Sequence, residues 1–235
     1  MMEDVVSSDR LRDAARNLSP LQATNVGEAL GKWLAGFHHW SSSQLDAGLL
    51  EMLESNGMID DLIHEGLDDK IFAHCESVEI RDMAWKQLMT TDTEGRGVVY
   101  GDLTTKNILI QTKSGSDRMN VTPIDWEACR LGMLMQDVAL LIADLFVQYS
   151  LEASPAALPL IHGFIRGYGP VKDTLVFQAA VYTGIYLFLW EGGGPYTYEA
   201  DQVDGLLQVA VNLVAHGAGE DREAIKETFM GGLFS

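Results

Sequence analysis

Three short β-type segments, enclosed by helical sequence on both sides, restrict the fold of this chain more than any other feature. They occupy residues 98–100, 108–110 and 121–124. Before and after them, apolar residues recur at helical spacing. Strands so short and so few do not form the parallel sheet of a dinucleotide-binding fold. The pattern predicts a mainly α-helical α+β fold, in which small β-ribbons surround a site built from loops.

Helical periodicity is clearest in the segment that begins at Ser19. Ser19, Pro20 and Gln22 form a helix-start signal, because serine and glutamine at this spacing can cap each other's backbone N–H groups. We expect this helix to end near His38 or His39, before three consecutive serines. Further helices are predicted at 45–67 (one or two), 79–89, 137–149, 155–168, 175–190 and 201–216.

The sequence contains no repeat or linker that would divide it. We therefore expect one domain of 235 residues, with a helical part at 1–94, a catalytic and metal-type loop segment at 95–126 and a second helical part at 127–235. The net charge of −18 argues against nucleic acid and anionic membrane as partners, since both attract clustered lysine and arginine. The acidic N-terminus is unlike a signal peptide, and Cys75 and Cys129 have no metal-type spacing, which predicts a cytoplasmic protein with reduced thiols.

Polar residues that suit phosphoryl transfer follow two of the short strands. Asp102 comes after the first strand, and Asn107 lies five positions later, where the second strand begins. A loop of this length can turn both side chains toward one point. The aspartate can accept a proton from an attacking hydroxyl group, and the asparagine oxygen can bind Mg²⁺. Asp125, at the end of the third strand, adds a second carboxylate.

These motifs resemble those of the aminoglycoside phosphotransferase and choline kinase-like family. The family's catalytic loop is His-Gly-Asp-x-x-x-x-Asn and its metal-binding segment is often Ile-Asp-Trp-Glu; here the segments run from Tyr100 to Asn107 and from Ile124 to Glu127. A Gly-x4-Asp pattern at Gly132 and Asp137 and the helix that ends in Phe37-His38 also fit. The resemblance covers the C-terminal lobe of a kinase-like fold.

The resemblance implies a role for each matching residue. Asp102 is the implied general base, Asn107 and Asp125 are the implied Mg²⁺ ligands, and Asp137 is the implied structural anchor of the loop. Tyr100 departs from the pattern, because it stands where the family has histidine. Together with Glu127, it is a further candidate for acid, base or hydrogen-bonding chemistry.

The aromatic helix at 175–190 is the second candidate region. Core packing accounts for its rings by default, but the family builds its acceptor cleft from these late helices. Tyr186 and Trp190 are therefore candidates for an apolar substrate wall, with Glu191 as a polar contact at its rim.

The sequence contains no glycine-rich loop followed by a strand lysine, which the family uses to hold ATP. We therefore expect the N-terminal ATP-binding lobe to be missing, ATP not to bind, and the vacated face to be available for a homodimer contact. Three functions follow. The first is non-phosphoryl chemistry, such as cyclisation or isomerisation, on an apolar small molecule. The second is Mg²⁺/ATP-dependent phosphoryl transfer to a small hydroxylated acceptor, with the ATP lobe supplied elsewhere. The third is a binding remnant without catalysis.

Overall fold

The computed structural model describes residues 8–43, 48, 53, 75–90, 94–112, 119–189 and 198–234. Helices dominate this part of the chain, and short 3₁₀ turns at Ala15–Asn17, Thr105–Asn107 and Gly231–Leu233 supplement them. The α-helices are α1 (Leu11–Ala14), α2 (Pro20–Ser43), α3 (Val78–Leu88), α4 (Met135–Ser150), α5 (Ala157–Tyr168), α6 (Asp173–Leu189), α7 (Ala200–Ala218) and α8 (Arg222–Lys226). The strands are β1 (Asp9–Arg10), β2 (Arg96–Val99), β3 (Ile108–Thr112), β4 (Met119–Pro123) and β5 (Arg130–Met133).

The strands form two small antiparallel units. One is a three-stranded sheet in the order β1-β3-β4, in which Ile108 pairs with Pro123, and the other is the ribbon β2-β5, in which Val98 pairs with Leu131. The predicted class, mainly α with a few short strands, is confirmed. The sequence did not reveal β1 or β5, since β1 has only two residues and β5 shows no alternation of polar and apolar side chains.

The start of α2 has the predicted reciprocal cap. The Ser19 backbone N–H donates to Gln22 Oε1 at 3.0 Å, and the Gln22 N–H donates to Ser19 Oγ at 3.3 Å. The predicted end near His38 or His39 was wrong, because α2 continues to Ser43. The hydroxyl groups of Ser42 and Ser43 each donate to a carbonyl one turn earlier, so these serines continue the helix.

Helices α2 and α5 approach until their backbones touch. A Cβ atom added at Gly27 would lie 2.3 Å from the Leu160 carbonyl oxygen, which no side chain can tolerate. Similar contacts, each under 2.5 Å, occur at Gly31, Gly163 and Gly167. Small residues on both helices therefore set their separation, and this packing brings the end of α2 beside the end of α5.

Helix α4 forms the centre of the core, and every residue of its 138–147 segment except Leu140 is buried. Polar side chains on one face of this helix hold the loop that contains Asp102 and Asn107.

The predicted helices at 45–67 fall largely outside the described residues, and the division of the chain into three parts stays a prediction. Within the described part of the chain, no helix is both long enough and apolar enough to cross a membrane.

Candidate active site

The loop after β2 brings Asp102 and Asn107 into direct contact. Asn107 Nδ2 donates to Asp102 Oδ2 at 2.6 Å and to the Asp102 carbonyl oxygen at 3.1 Å. The 3₁₀ turn at Thr105–Asn107 closes the loop, because the Asn107 N–H donates to the Thr104 carbonyl at 3.0 Å. Because the Asn107 side-chain nitrogen donates to Asp102, the side-chain oxygen is the atom of this amide that can bind another partner.

The position of Asp125 is set by the preceding residue, Ile124, which is hydrogen-bonded to the same loop. The Ile124 N–H donates to the Asn107 carbonyl at 2.9 Å, and the Ile124 carbonyl accepts a hydrogen bond from the Tyr100 hydroxyl. Asp125 itself has a φ of 66°, a left-handed conformation that aspartate tolerates better than most residues. The chain therefore turns sharply at Asp125, directly after its attachment to the catalytic loop.

Asp137 anchors the beginning of the loop. Its Oδ2 accepts the Tyr100 N–H at 2.7 Å and its Oδ1 accepts the Gly101 N–H at 2.8 Å. Gly101 has a φ of 89°, and a Cβ atom there would lie 2.1 Å from the Ala128 carbonyl oxygen. Only glycine fits this position, so both Gly101 and the carboxylate of Asp137 shape the turn that leads into Asp102.

Tyr168, His38 and Asp137 form a series of hydrogen-bonded side chains that helps to orient the Asp137 carboxylate. His38 Nε2 lies 3.1 Å from Asp137 Oδ2, and His38 Nδ1 lies 2.9 Å from the Tyr168 hydroxyl oxygen. In the imidazole tautomer that donates from Nε2 to the Asp137 carboxylate, Nδ1 accepts from the Tyr168 hydroxyl. The close packing of α2 on α5 thus orients the residue that holds the catalytic loop.

A second buried aspartate, which the sequence did not single out, holds the other end of the loop. Asp144 is 0% exposed, and its Oδ2 accepts the Thr105 N–H at 2.7 Å and the Thr105 hydroxyl at 2.6 Å. Gln148 Nε2 donates to Thr105 Oγ1 at 2.8 Å, and Arg12 Nη1 lies 3.4 Å from Asp144 Oδ1. The available signal was spacing: Asp137, Asp144 and Gln148 lie seven and four positions apart, on one face of a mostly apolar helix.

Asp144 is expected to make stability depend on pH. Burial raises the pKa of Asp144, while hydrogen bonds from Thr105 and the charge of Arg12 oppose that effect. The carboxyl group therefore binds its proton more tightly in the folded than in the unfolded chain. Its contribution to the free energy of unfolding should fall as the pH rises from the ordinary aspartate range through the raised pKa, by up to about 1.4 kcal/mol per pH unit.

Asp144→Asn removes this titration. Urea unfolding between about pH 4 and pH 8 should show the wild type losing stability relative to the variant as the pH rises, and then a constant difference. Asp204→Asn, at an exposed position of α7, is the control and should give curves parallel to the wild type. Parallel curves for Asp144→Asn as well would contradict the expectation.

Tyr100 lies in the core and not on the surface of the site. Its side chain is 0% exposed, its hydroxyl donates to Ile124, and its ring packs edge-on against Trp126 at a centroid distance of 4.9 Å. Burial and the nearby carboxylates, with Asp102 first among them, raise the pKa of the Tyr100 hydroxyl. This placement favours a role in positioning Ile124 and Trp126 over the predicted role in acid–base chemistry.

The other predicted site residues are Glu127, Tyr186, Trp190 and Glu191, and the structure describes two of them. Glu127 follows Trp126 and is exposed. Tyr186 is only 6% exposed within α6, so it packs in the helical core. Trp190 and Glu191, the other parts of the predicted substrate wall, lie outside the described residues.

The donor set at the loop fits a hard cation such as Mg²⁺. It combines the carboxylate of Asp125 with the side-chain amide oxygen of Asn107, beside the Asp102 carboxylate, and oxygen ligands of this kind suit Mg²⁺. Partial burial of the Asp102 carboxylate raises its pKa, the hydrogen bond from Asn107 opposes this, and the charge of Asp125 adds to it. A cation bound by Asp125 and Asn107 would offset the repulsion between the two carboxylates. The described residues contain no cluster of three or more His, Cys, Asp or Glu side chains placed to hold a metal, so the candidate donors at the loop are two carboxylates and one amide.

Comparisons with known proteins agree with these motifs. The family model described as "Phosphotransferase enzyme family" matches residues 4–175. A protein of Cladobotryum sp. named "Phosphotransferase FrzJ" is 28% identical over 234 residues; the match covers 93% of this chain and 61% of the length of that relative.

Two solved structures are also similar. An amicoumacin kinase, hAmiN, in complex with AMP-PNP, Ca²⁺ and Ami is 13% identical and gives a TM-score of 0.47, covering 82% of this chain and 59% of its own. A choline/ethanolamine kinase family protein from Mesorhizobium loti is 12% identical and also gives a TM-score of 0.47, covering 97% of this chain and 71% of its own. The family model alone spans well over half of the 235 residues, and on that match the chain belongs to the phosphotransferase enzyme family.

Proposed function

We propose that this chain carries the catalytic half of a Mg²⁺/ATP-dependent phosphotransferase that acts on a small hydroxylated acceptor. The observation that carries the proposal is the hydrogen bond between Asn107 and Asp102. Ile124, the residue before Asp125, is hydrogen-bonded to the same loop. These side chains are the ones that phosphoryl transfer requires at one point: a base for the acceptor hydroxyl and oxygen ligands for the metal.

In this proposal Asp102 accepts the proton of the acceptor hydroxyl as that oxygen bonds to the γ-phosphorus of ATP, while the bond from the γ-phosphorus to the β–γ bridging oxygen breaks and ADP leaves. Mg²⁺ would be held by Asp125 and by the side-chain oxygen of Asn107. When bound, Mg²⁺ neutralises phosphate charge and orients the transferred group. Asp137 keeps the backbone at Gly101 in the conformation that directs Asp102 toward the acceptor.

The comparisons favour this function over cyclisation or isomerisation of an apolar substrate. Both the family model and the Cladobotryum relative are described as phosphotransferases. Neither of these two matches supports the expectation that ATP does not bind. Non-phosphoryl chemistry, a binding remnant and a homodimer contact stay predictions, as do the substrate-wall roles of Tyr186, Trp190 and Glu191.

Titration calorimetry of the purified chain with ATP, with and without Mg²⁺, tests the proposal. We expect binding that requires Mg²⁺ and that Asp125→Asn weakens at least tenfold, which corresponds to ~1.4 kcal/mol, because the amide lacks the charge that attracts the metal. Asp204→Asn again serves as the control for loss of one negative charge. If ATP bound equally well with and without Mg²⁺, or did not bind, the proposal for this chain would fail.

Transfer of label from [γ-³²P]ATP to a panel of small acceptors then tests the reaction itself. The panel should hold amino alcohols such as choline and ethanolamine, because a similar structure belongs to the choline/ethanolamine kinase family, and hydroxylated antibiotics. Labelled product is the supporting outcome. A chain that binds Mg-ATP but labels no member of the panel would contradict the acceptor class proposed here.

A further inference from the structure

Arg12, in α1, joins the N-terminal part of the described chain to a buried carboxylate of α4. Its Nη1 atom lies 3.4 Å from Asp144 Oδ1, and its Nη2 atom forms an ion pair with Glu152. The Asp144 side chain is fully buried, and those of Arg12 and Glu152 are only 16% and 17% exposed. Charges shielded from water in this way are screened less by salt than charges on the surface. Two carboxylates, one of them buried, therefore fix the orientation of the Arg12 guanidinium group.

Asp144 carries the effect of this ion pair to the catalytic loop. While its Oδ1 faces Arg12, its Oδ2 accepts the Thr105 N–H at 2.7 Å and the Thr105 hydroxyl at 2.6 Å. Gln148 Nε2 donates to Thr105 Oγ1 at 2.8 Å and lies 3.3 Å from Asp144 Oδ2. Arg12 and Thr105 thus bind different oxygens of one carboxylate, so the orientation of that carboxylate depends on both.

Thr105 is the first residue of the 3₁₀ turn that ends at Asn107. The Asn107 side chain in turn donates to Asp102 Oδ2 at 2.6 Å. A turn of three residues permits few conformations, so a displacement of Thr105 also moves Asn107. The charge of Asp144 acts on the same site, because burial raises the pKa of Asp102 and nearby carboxylates, Asp144 among them, add to this effect. The Arg12–Asp144 pair therefore bears on both the position of Asn107 and the charge near Asp102.

The segment that contains Arg12 is also packed against this turn. Arg10, in β1, pairs with Leu109 in β3, just after Asn107, and α1 packs on both β3 and the 3₁₀ turn. Leu11, between the two arginines, is 0% exposed. To this packing Arg12 adds a charged contact that reaches the beginning of the turn through a side chain of another helix.

We propose that Arg12 is a positioning residue for the candidate active site: through Asp144 and Thr105, it holds Asn107 where its side-chain oxygen can bind Mg²⁺. The inference rests on the proposed function for the metal that Asn107 binds. The link from Arg12 to Asn107 itself can be measured without metal or nucleotide.

Two-dimensional ¹H–¹⁵N NMR of the full chain tests the link, because the side-chain amide signal of Asn107 reports on its hydrogen bond to Asp102. We expect Arg12→Gln to shift this signal and to weaken the binding of Mg²⁺, titrated as MgCl₂ alone, by about three- to thirtyfold. Both effects should largely vanish when Arg12→Gln is made in the Asp144→Asn background, because the carboxylate through which Arg12 acts is then absent. A purely stabilising role would lower the thermal unfolding midpoint but move neither measurement in the folded protein.

Arg16→Gln is the matched control, because it removes the same charge from an exposed position in the 3₁₀ turn after α1. It should leave the Asn107 signal and the Mg²⁺ affinity unchanged. Arg12→Lys is a second variant, which serves if Arg12→Gln does not fold. Lysine keeps the positive charge but lacks the fork that binds two carboxylates at once, so it should cause the same changes to a smaller extent.

The proposal is overturned if no folded Arg12 variant shifts the Asn107 signal or if Arg16→Gln shifts it as much as Arg12→Gln. It is also overturned if the effects of Arg12→Gln persist in the Asp144→Asn background. A wild-type chain that binds no Mg²⁺ would instead contradict the proposed function, and the Asn107 signal would still decide whether Arg12 positions the loop.

Discussion

Replacing Asp102 with asparagine is expected to lower the rate of phosphoryl transfer by about 10²–10⁴-fold, the contribution typical of a general base. Asparagine has nearly the same size and can still accept the hydrogen bond from Asn107, so the loop should keep its shape. It cannot accept the proton of the acceptor hydroxyl. The measurement is the initial rate of label transfer from [γ-³²P]ATP to whichever acceptor the panel identifies.

The pH dependence of that rate gives an independent check. A general base must be ionised to act, and partial burial raises the pKa of Asp102. The rate should therefore fall as the pH is lowered and Asp102 takes up a proton. An acidic limb that persists unchanged in Asp102→Asn would show that another group is the base.

Tyr100→Phe distinguishes positioning from chemistry at the same loop. The ring still fills its buried site, but the Ile124 carbonyl loses its hydroxyl donor. We expect unfolding in urea to show a loss of about 1–2 kcal/mol for Tyr100→Phe, whereas Asp102→Asn should lose much less. A rate loss for Tyr100→Phe as large as that for Asp102→Asn, without a loss of stability, would favour the catalytic role predicted from the sequence.

Replacing Asp137 with alanine is expected to have the largest effect on folding stability, a loss of about 3–5 kcal/mol. The carboxylate is 1% exposed and accepts from the backbone N–H groups of Tyr100 and Gly101 and from His38. Each buried donor left without an acceptor costs about 1–3 kcal/mol, and some of these donors will recover water. Urea unfolding at fixed pH measures the loss.

Two controls make the result specific to the anchor. Asp204→Ala removes an exposed aspartate from α7 and should change stability by less than about 0.5 kcal/mol. His38→Ala removes one of the three donors and should cost less than Asp137→Ala. A loss below about 1 kcal/mol for Asp137→Ala would mean that this carboxylate does not hold the loop.

Local sequence was sufficient for the fold class and for the family. The helix start at Ser19, the strand at 108–112 and the position of Asp137 in the first turn of a long helix all depend on neighbours within a few residues. The motif from Asp102 to Asn107 is equally local, and a five-residue spacing is enough to place both side chains on one loop. Such features can be predicted because short loops and caps permit few conformations.

Long-range contacts were not predictable in the same way. The continuation of α2 beyond His39 and the burial of Tyr100 depend on what surrounds them, and the pairing of β1 with β3 joins residues about a hundred positions apart. A two-residue strand has no pattern of its own, and a tyrosine can equally well be core or surface.

By itself, the sequence determined the class of fold, the family and the residues that form the candidate acid and metal-ligand set, because all of these depend on short-range spacing. Only the tertiary structure decided what holds that set in place. Asp144 is the clearest case: in the sequence it is one of several polar residues in a mostly apolar segment, and only folding brings the Thr105 hydroxyl within 2.6 Å of its carboxylate. A buried carboxylate is stable only with partners, and those partners come from chain positions that no local pattern connects.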